Sequence, residues 1–369
     1  MAALLALRLI SNGWSDIFSI GGGKLDILPL AVAVILLGAT FGKIGLRMAA
    51  QAVLVGVVFL FLGRAIYTDW GEITSGDWQF SLPWLIASLI LMHGLFVCHA
   101  SGWLLILRRF RHPVPYLPGF YVWSKSLLAR YVPGNVLMVV GRVMMIEPYG
   151  VPKRISLTSV IYEQALLGAA SAIVVAVALP LSDLRSISSL IWLVLVVPPL
   201  AVIGLQPAVL GRLGNFALRK TGREPIKEFL PFWTVMGFIL YYSLTWVVAG
   251  LGLFALVHAV TPQIDFTDLP IVIASVPLAW LLALVVFISP SGLGVREGVY
   301  AYTLAFAFNH EAGVASAFAI LARFWQTLIE ISTVVIVMAL AKKFRPSSKT
   351  SRARAVVDAA ETNVENYTP

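Results

Sequence analysis

The sequence predicts an all-α polytopic membrane protein: a helical bundle of about eight spans with two Pro/Gly-broken re-entrant or half-helix elements. Three observations predict it. Of 369 residues, 59% are hydrophobic and only 12% charged, and the mean hydropathy is +0.88. A soluble domain is about 45–50% apolar and about 25% charged. The balance excludes a disordered chain, a small disulfide scaffold and a conventional cytosolic enzyme. Second, apolar runs approach or exceed the ~20 residues that a helix needs to cross the hydrocarbon core. They fall at about 28–41, 46–66, 82–106, 155–180, 187–205, 231–258, 270–289 and 312–341. Third, the runs do not alternate and are much longer than barrel strands. Backbone polar groups cannot stay unpaired in lipid, so the spans are helices.

In chain order, residues 1–45 form an N-terminal segment with a possible extra span at 28–41. Arg8 interrupts its first apolar stretch, so 1–23 is not read as a signal peptide. Residues 46–343 form the membrane domain. After the 82–106 span comes a basic cluster of Arg108, Arg109, Arg111, Lys125 and Arg130. Arg142, Lys153 and Arg154 precede 155–180, and further basic residues fill 212–227 and follow 341. The opposite loops carry Asp69, Glu72, Asp77, Asp183, Asp265, Asp268 and Glu311. Lys and Arg in short loops mark the cytoplasmic side. The expected setting is a cell (inner) membrane, with the basic loops and C-terminus cytoplasmic. The net charge of +9 then reports loops facing an anionic leaflet, not nucleic acid. The polar tail, 344–369, is expected to be disordered, and its Asn366 sequon is read as chance.

Two shorter apolar pieces are broken. Residues 117–147 begin and end among basic residues and read as a re-entrant hairpin or a pair of half-helices. Residues 293–308 must carry the chain back across, yet at 1.5 Å per residue they reach only about 24 Å. The preceding break at Ser289–Gly294 is therefore expected to dip into the membrane. The breaks are Arg130-Tyr131-Val132-Pro133-Gly134-Asn135, continuing to Gly141-Arg142, and Ser289-Pro290-Ser291-Gly292-Leu293-Gly294-Val295-Arg296-Glu297. Proline removes a backbone donor, and glycine admits unusual backbone geometry. N–H groups at a half-helix start favour anions, and an adjacent Arg offers a fork matching phosphate oxygens. Paired interruptions of this kind point to a transporter site. The competing reading is a simple kink with Arg reaching for headgroups.

Charges inside spans are costly and face a bundle interior. Ser156, Ser159 and Glu163 share one helical face, as do Arg323, Gln326 and Glu330. Either an internal Arg–Glu pair fixes the packing or the stripes form a headgroup path. Glu297 can neutralise Arg296 or pair with Arg323. Trp70, Trp78 and Trp84 fit an interfacial belt, while Tyr241, Tyr242 and Trp246 are assigned to packing ahead of cavity lining. His93 and His99, about 240° apart on a helix, are expected to pack or hydrogen-bond. No P-loop, HExxH or Ser-His-Asp signature is present, and Cys98 is the single cysteine. No metal, cofactor or enzymatic activity is expected.

The Gly292-Leu293-Gly294-Val295-Arg296-Glu297-Gly298 run resembles the signature of the lysylphosphatidylglycerol synthase transmembrane (flippase-like) family. The stretch from Arg130 through Gly141-Arg142-Val143 and Gly150-Val151 to Ser159–Gln164 is similar to that family's other characteristic region. The resemblance spans roughly 46–343. Gln164 departs from it, since many members carry Arg after the acidic residue. In the large synthases this membrane domain is associated with flipping aminoacylated phospholipid, while a separate soluble domain transfers the aminoacyl group. The resemblance implies the membrane domain standing alone.

The reading that follows is a lipid translocase for a phospholipid or polyprenyl-phosphate-linked lipid, with membrane lipids as its partners. Arg130, Arg142, Arg296 and Arg323 are the candidate phosphate contacts. Glu163, Glu297 and Glu330 balance charge or engage a cationic headgroup. Pro133, Gly134, Gly141, Pro290, Gly292 and Gly294 supply close approach and hinge motion. The alternative is a membrane scaffold for a separate lipid-modifying glycosyl- or aminoacyl-transferase.

Overall fold

A computed structural model describes residues 67, 71, 78–131, 136–182, 229–262, 264–285, 292, 294–308 and 311–341. The expected spans at 28–41, 46–66 and 187–205, the tail 344–369 and the break residues Pro133, Gly134 and Pro290 lie outside these. Eight α-helices are described: α1 Leu82–Arg109, α2 Tyr116–Leu127, α3 Val136–Ile146, α4 Lys153–Ala178, α5 Phe232–His258, α6 Leu269–Val285, α7 Val295–Ala307 and α8 Ala312–Ala341. No strand occurs among the described residues. Five helical stretches are long and apolar enough to cross a membrane, those of α1, α4, α5, α6 and α8. The protein is a multi-pass membrane protein.

Local chemistry sets the helix ends. Pro115, Pro152 and Pro231 stand immediately before α2, α4 and α5 in extended geometry. A proline lacks the N–H that the first turn would leave unpaired, so it opens a helix at little cost. α1 ends on Arg108 and Arg109, cations at the negative pole of the helix. Beyond it the Arg111 N–H bonds the Arg108 carbonyl and the His112 N–H bonds that of Leu107, at 3.1 and 3.0 Å. This is a Schellman stop, with Arg111 at φ 63° in the place that glycine usually takes.

The first broken piece is a pair of short helices, α2 and α3, joined through a 3-10 turn at Leu128–Tyr131. Arg130 falls in that turn, and its side chain lies outside the described ones. α2 packs on α1, α3 and α8, and α3 also packs on α4. The second broken piece yields α7, only 13 residues long, which folds back along α8. Phe308 and Phe318 stack at 5.0 Å to close that turn.

α1, α4 and α6 surround α5, and two contiguous apolar clusters fill the interior. At Gly250 a side chain would strike the Ile273 backbone of α6. Pro277 lies inside α6 and leaves the Ile273 carbonyl, four residues back, without its usual N–H partner. Close approach of small residues is how spans pack without a hydrophobic drive between them. Outer faces stay apolar: Ile90, Val177, Leu240 and Val335 are each at least 60% exposed, as lipid-facing side chains should be. One end of the bundle gathers the start of α1 and the end of α5, joined by Ser81 N–H to the Ala259 carbonyl at 2.8 Å. Trp84 packs there on His258 at 4.6 Å, and Trp78 on Phe318 at 5.8 Å, in keeping with a belt. Trp70 lies outside the described residues.

Candidate headgroup cavity

A cavity of about 130 Å³ lies inside the bundle, and all eight described helices contribute to its wall. Its lining joins the two broken elements. Arg142 reaches it from α3, and Gly292 and Arg296 from the second break and the start of α7. Glu163 and Gln164 line it from α4, and Gln326 from α8. The remaining wall is largely aromatic and aliphatic, with His99, Trp123, Trp246, Trp280, Tyr300 and Trp325 among its members.

The second break is shaped by glycine. Gly292 and Gly294 hold φ of 70° and 87°, left-handed geometry that other residues resist. A Cβ on Gly292 would lie 2.6 Å from that of Ala283 and 3.1 Å from Nε of Arg296. The glycine thus lets the break close onto α6 and the arginine. Gly294 caps α7, and its N–H donates to Glu297 Oε2 at 2.6 Å. This differs from the expectation that exposed amides at the half-helix start await an anion. The chain's own carboxylate already occupies that end, because a glutamate three residues into a helix reaches back to the cap N–H.

Six charged residues are buried among the described ones: Arg142, Arg296, Arg323, Glu163, Glu297 and Glu330. Their formal charges balance. Arg142 donates from Nη1 to Glu163 Oε2 in a buried ion pair. Arg323 Nε lies 3.2 Å from Glu297 Oε1, joining α8 to α7. Of the two partners open to Glu297, Arg323 is the one it takes. Glu297, Arg323 and Glu330 are not among the residues lining the cavity. The headgroup contacts expected of these three are therefore not brought to the cavity, and the Arg323–Glu297 pair fits the packing role. The lining itself carries two arginines and one glutamate, a net single positive charge.

The Ser156–Ser159–Glu163 stripe is buried as its spacing requires. Ser159 accepts the Trp103 indole N–H at 3.0 Å and donates to the Ser156 carbonyl at 2.7 Å. On the other stripe, Gln326 Oε1 is buried and accepts no hydrogen bond among the described residues. His93 and His99 find separate hydroxyls, Ser332 at 3.0 Å and Thr245 at 3.1 Å. Gly141 of the first break meets only the end of the Met145 side chain. Trp246 both lines the cavity, the role placed second for it, and packs in the core. Trp123, Trp280, Trp325 and His99 were not foreseen as lining. Inside apolar runs an aromatic facing a cavity has the same spacing as one facing a core.

Neither a curated protein nor a solved structure matches the chain. A family model does, that of the "Lysylphosphatidylglycerol synthase TM region", and it covers residues 27–332. The match takes in both broken elements and every helix around the cavity except the end of α8, and it starts ahead of the 46 at which the resemblance begins. A bundle of apolar helices built about two arginine-bearing breaks, matched over most of its length, belongs to the lysylphosphatidylglycerol synthase TM-region family.

Proposed function

We propose that the chain is a lipid translocase whose cavity receives the polar end of a phospholipid or polyprenyl-phosphate-linked lipid while the tails stay in the bilayer. The single observation that carries this reading is that Arg142 and Arg296, from two interrupted elements far apart in sequence, line one cavity. Buried charge inside a membrane bundle is expensive and marks pathways. The cavity, at about 130 Å³, is small beside the roughly 300–1,000 Å³ of sites that enclose whole drug-sized ligands. It suits a headgroup, not a whole lipid. Arg296 is the guanidinium that meets phosphate, and Gln326, lining the same cavity, offers an acceptor to a headgroup donor. The chain works without catalysing a covalent step. No nucleotide-binding motif drives it, so movement is downhill, ion-coupled or drawn by product removal. It sits in the cell membrane with its basic loops cytoplasmic.

Reconstitution tests the proposal. The purified chain in vesicles of phosphatidylglycerol and phosphatidylethanolamine should expose fluorescent phosphatidylglycerol to an external quencher. Arg296→Ala should slow exposure by about tenfold or more, since a charge-assisted contact to phosphate is lost, while the protein stays folded. Exposure equal to that of empty vesicles, for phosphatidylglycerol and for a polyprenyl phosphate alike, would favour a scaffold that recruits a separate transferase.

A further inference from the structure

The cavity wall keeps its anionic group for itself. Glu163 is the one carboxylate among the described lining residues. Its Oε2 accepts from Arg142 Nη1, and its Oε1 accepts the Trp123 indole N–H at 2.7 Å. The Arg142 guanidinium carbon also lies 5.6 Å from the Trp123 ring centroid, within cation–π range. A ligand ammonium would find that carboxylate held and that ring already shared with a cation. The indole donors are held too. Trp246 gives its N–H to the Leu167 carbonyl at 3.1 Å. Trp325 gives its own to Ser88 Oγ at 3.0 Å, and Ser88 Oγ donates to the Gly252 carbonyl at 2.7 Å. An indole has a single donor. Trp123, Trp246 and Trp325 therefore add ring surface to the cavity, not N–H groups. Trp280 continues that surface, its centroid 5.4 Å from that of Trp246. Electron-rich ring faces attract the slightly positive C–H groups of a sugar or a glycerol.

Uncharged polarity comes from two amides, Gln164 on α4 and Gln326 on α8. Gln326 Oε1 is buried and accepts no hydrogen bond among the described residues. A side-chain amide both donates and accepts. Its complement is a hydroxyl, which does the same, whereas an ammonium only donates. We infer that the cavity selects an uncharged, hydroxyl-bearing headgroup, a glycerol or a sugar carried on phosphate, over an ammonium-bearing one. This names the ligand class of the translocase reading above and rests on that reading. Gln164 and Gln326 meet the hydroxyls, the indole rings carry the C–H face, and Glu163 serves Arg142.

The test gives the full chain, in the vesicles described above, fluorescent lipids that differ in headgroup: phosphatidylglycerol, a hexosyl polyprenyl phosphate and phosphatidylethanolamine. The faster of the two hydroxyl-bearing lipids should outrun phosphatidylethanolamine by about tenfold or more, since an ammonium would leave water with no carboxylate to meet it. Which of the two leads tells whether glycerol or sugar is the source. Gln326→Glu supplies the missing carboxylate. Once folded, it should shift the ratio by about tenfold toward phosphatidylethanolamine, a change of preference that altered packing alone would not produce. Should it fail to fold, Gln326→Leu removes the amide and should narrow the ratio by about threefold or more.

A parent that moves phosphatidylethanolamine as fast as either hydroxyl-bearing lipid would overturn the inference and leave the translocase reading in place. So would an unaltered ratio in the folded variant. If the parent moves no lipid, the translocase reading fails, and binding decides the ligand class alone. Fluorine NMR of 5-fluorotryptophan protein, with the Trp325 line identified by Trp325→Phe, reads it. Short-chain phosphatidylglycerol or a short-chain hexosyl phosphate should shift that line at concentrations where short-chain phosphatidylethanolamine does not. Equal shifts, or none, would overturn the inference.

Discussion

Arg111 shows how one residue can sit against its own backbone preference. It closes α1 in left-handed geometry at φ 63°, where a side chain costs roughly 1–2 kcal/mol. Glycine at that position would relieve the strain and keep both closing hydrogen bonds. Arg111→Gly is expected to raise stability by about 1 kcal/mol, read as a higher melting midpoint in detergent. Glu297 shows the opposite economy, with one carboxylate capping α7 and pairing with Arg323. The buried charges were legible singly, because lipid turns an Arg or Glu within an apolar run toward the bundle interior. Their pairing was not. Arg142 with Glu163, and Arg323 with Glu297, join separate helices, and no spacing along a chain encodes which helices touch.

The elements themselves were largely readable. Apolar runs placed α1, α4, α5, α6 and α8 to within a few residues, because lipid demands an unbroken apolar length that few other structures need. Pro and Gly likewise marked the breaks that yield α2, α3 and α7. What no run revealed is how closely α5 and α6 approach. Gly250 against the Ile273 backbone, beside the gap left by Pro277, is a contact between backbones. Gly250→Val is expected to destabilise the bundle by about 1–3 kcal/mol, and a lower melting midpoint with unchanged helical content would register it. The aromatic wall escaped for a related reason. Trp123, Trp280 and Trp325 obey the hydrophobic pattern of a span, and only the assembled bundle shows which face meets open space.

Across the whole molecule, charge separates the two ends. Arg108 and Arg109 end α1, Arg111 follows it, and Lys153 and Arg154 open α4, while Asp265 and Asp268 precede α6. The single cysteine makes orientation measurable. In a Cys98→Ser background, a cysteine at Lys153, whose side chain is 65% exposed, should react with an impermeant maleimide only in inverted vesicles. One at Phe266, 66% exposed, should react only in right-side-out cells. Labelling in the reverse pattern would invert the assignment of basic loops to the cytoplasm.

The modest size of the chamber between the broken elements has one more consequence. If the chain moves lipid as proposed, a space of about 130 Å³ leaves no room for hydrocarbon, and fatty chains would trail outside the protein wall. Acyl length and unsaturation are then invisible to the protein, and lipids differing only there should travel at one common pace. Bulk added to the polar end, by contrast, should stall them abruptly once it outgrows the room.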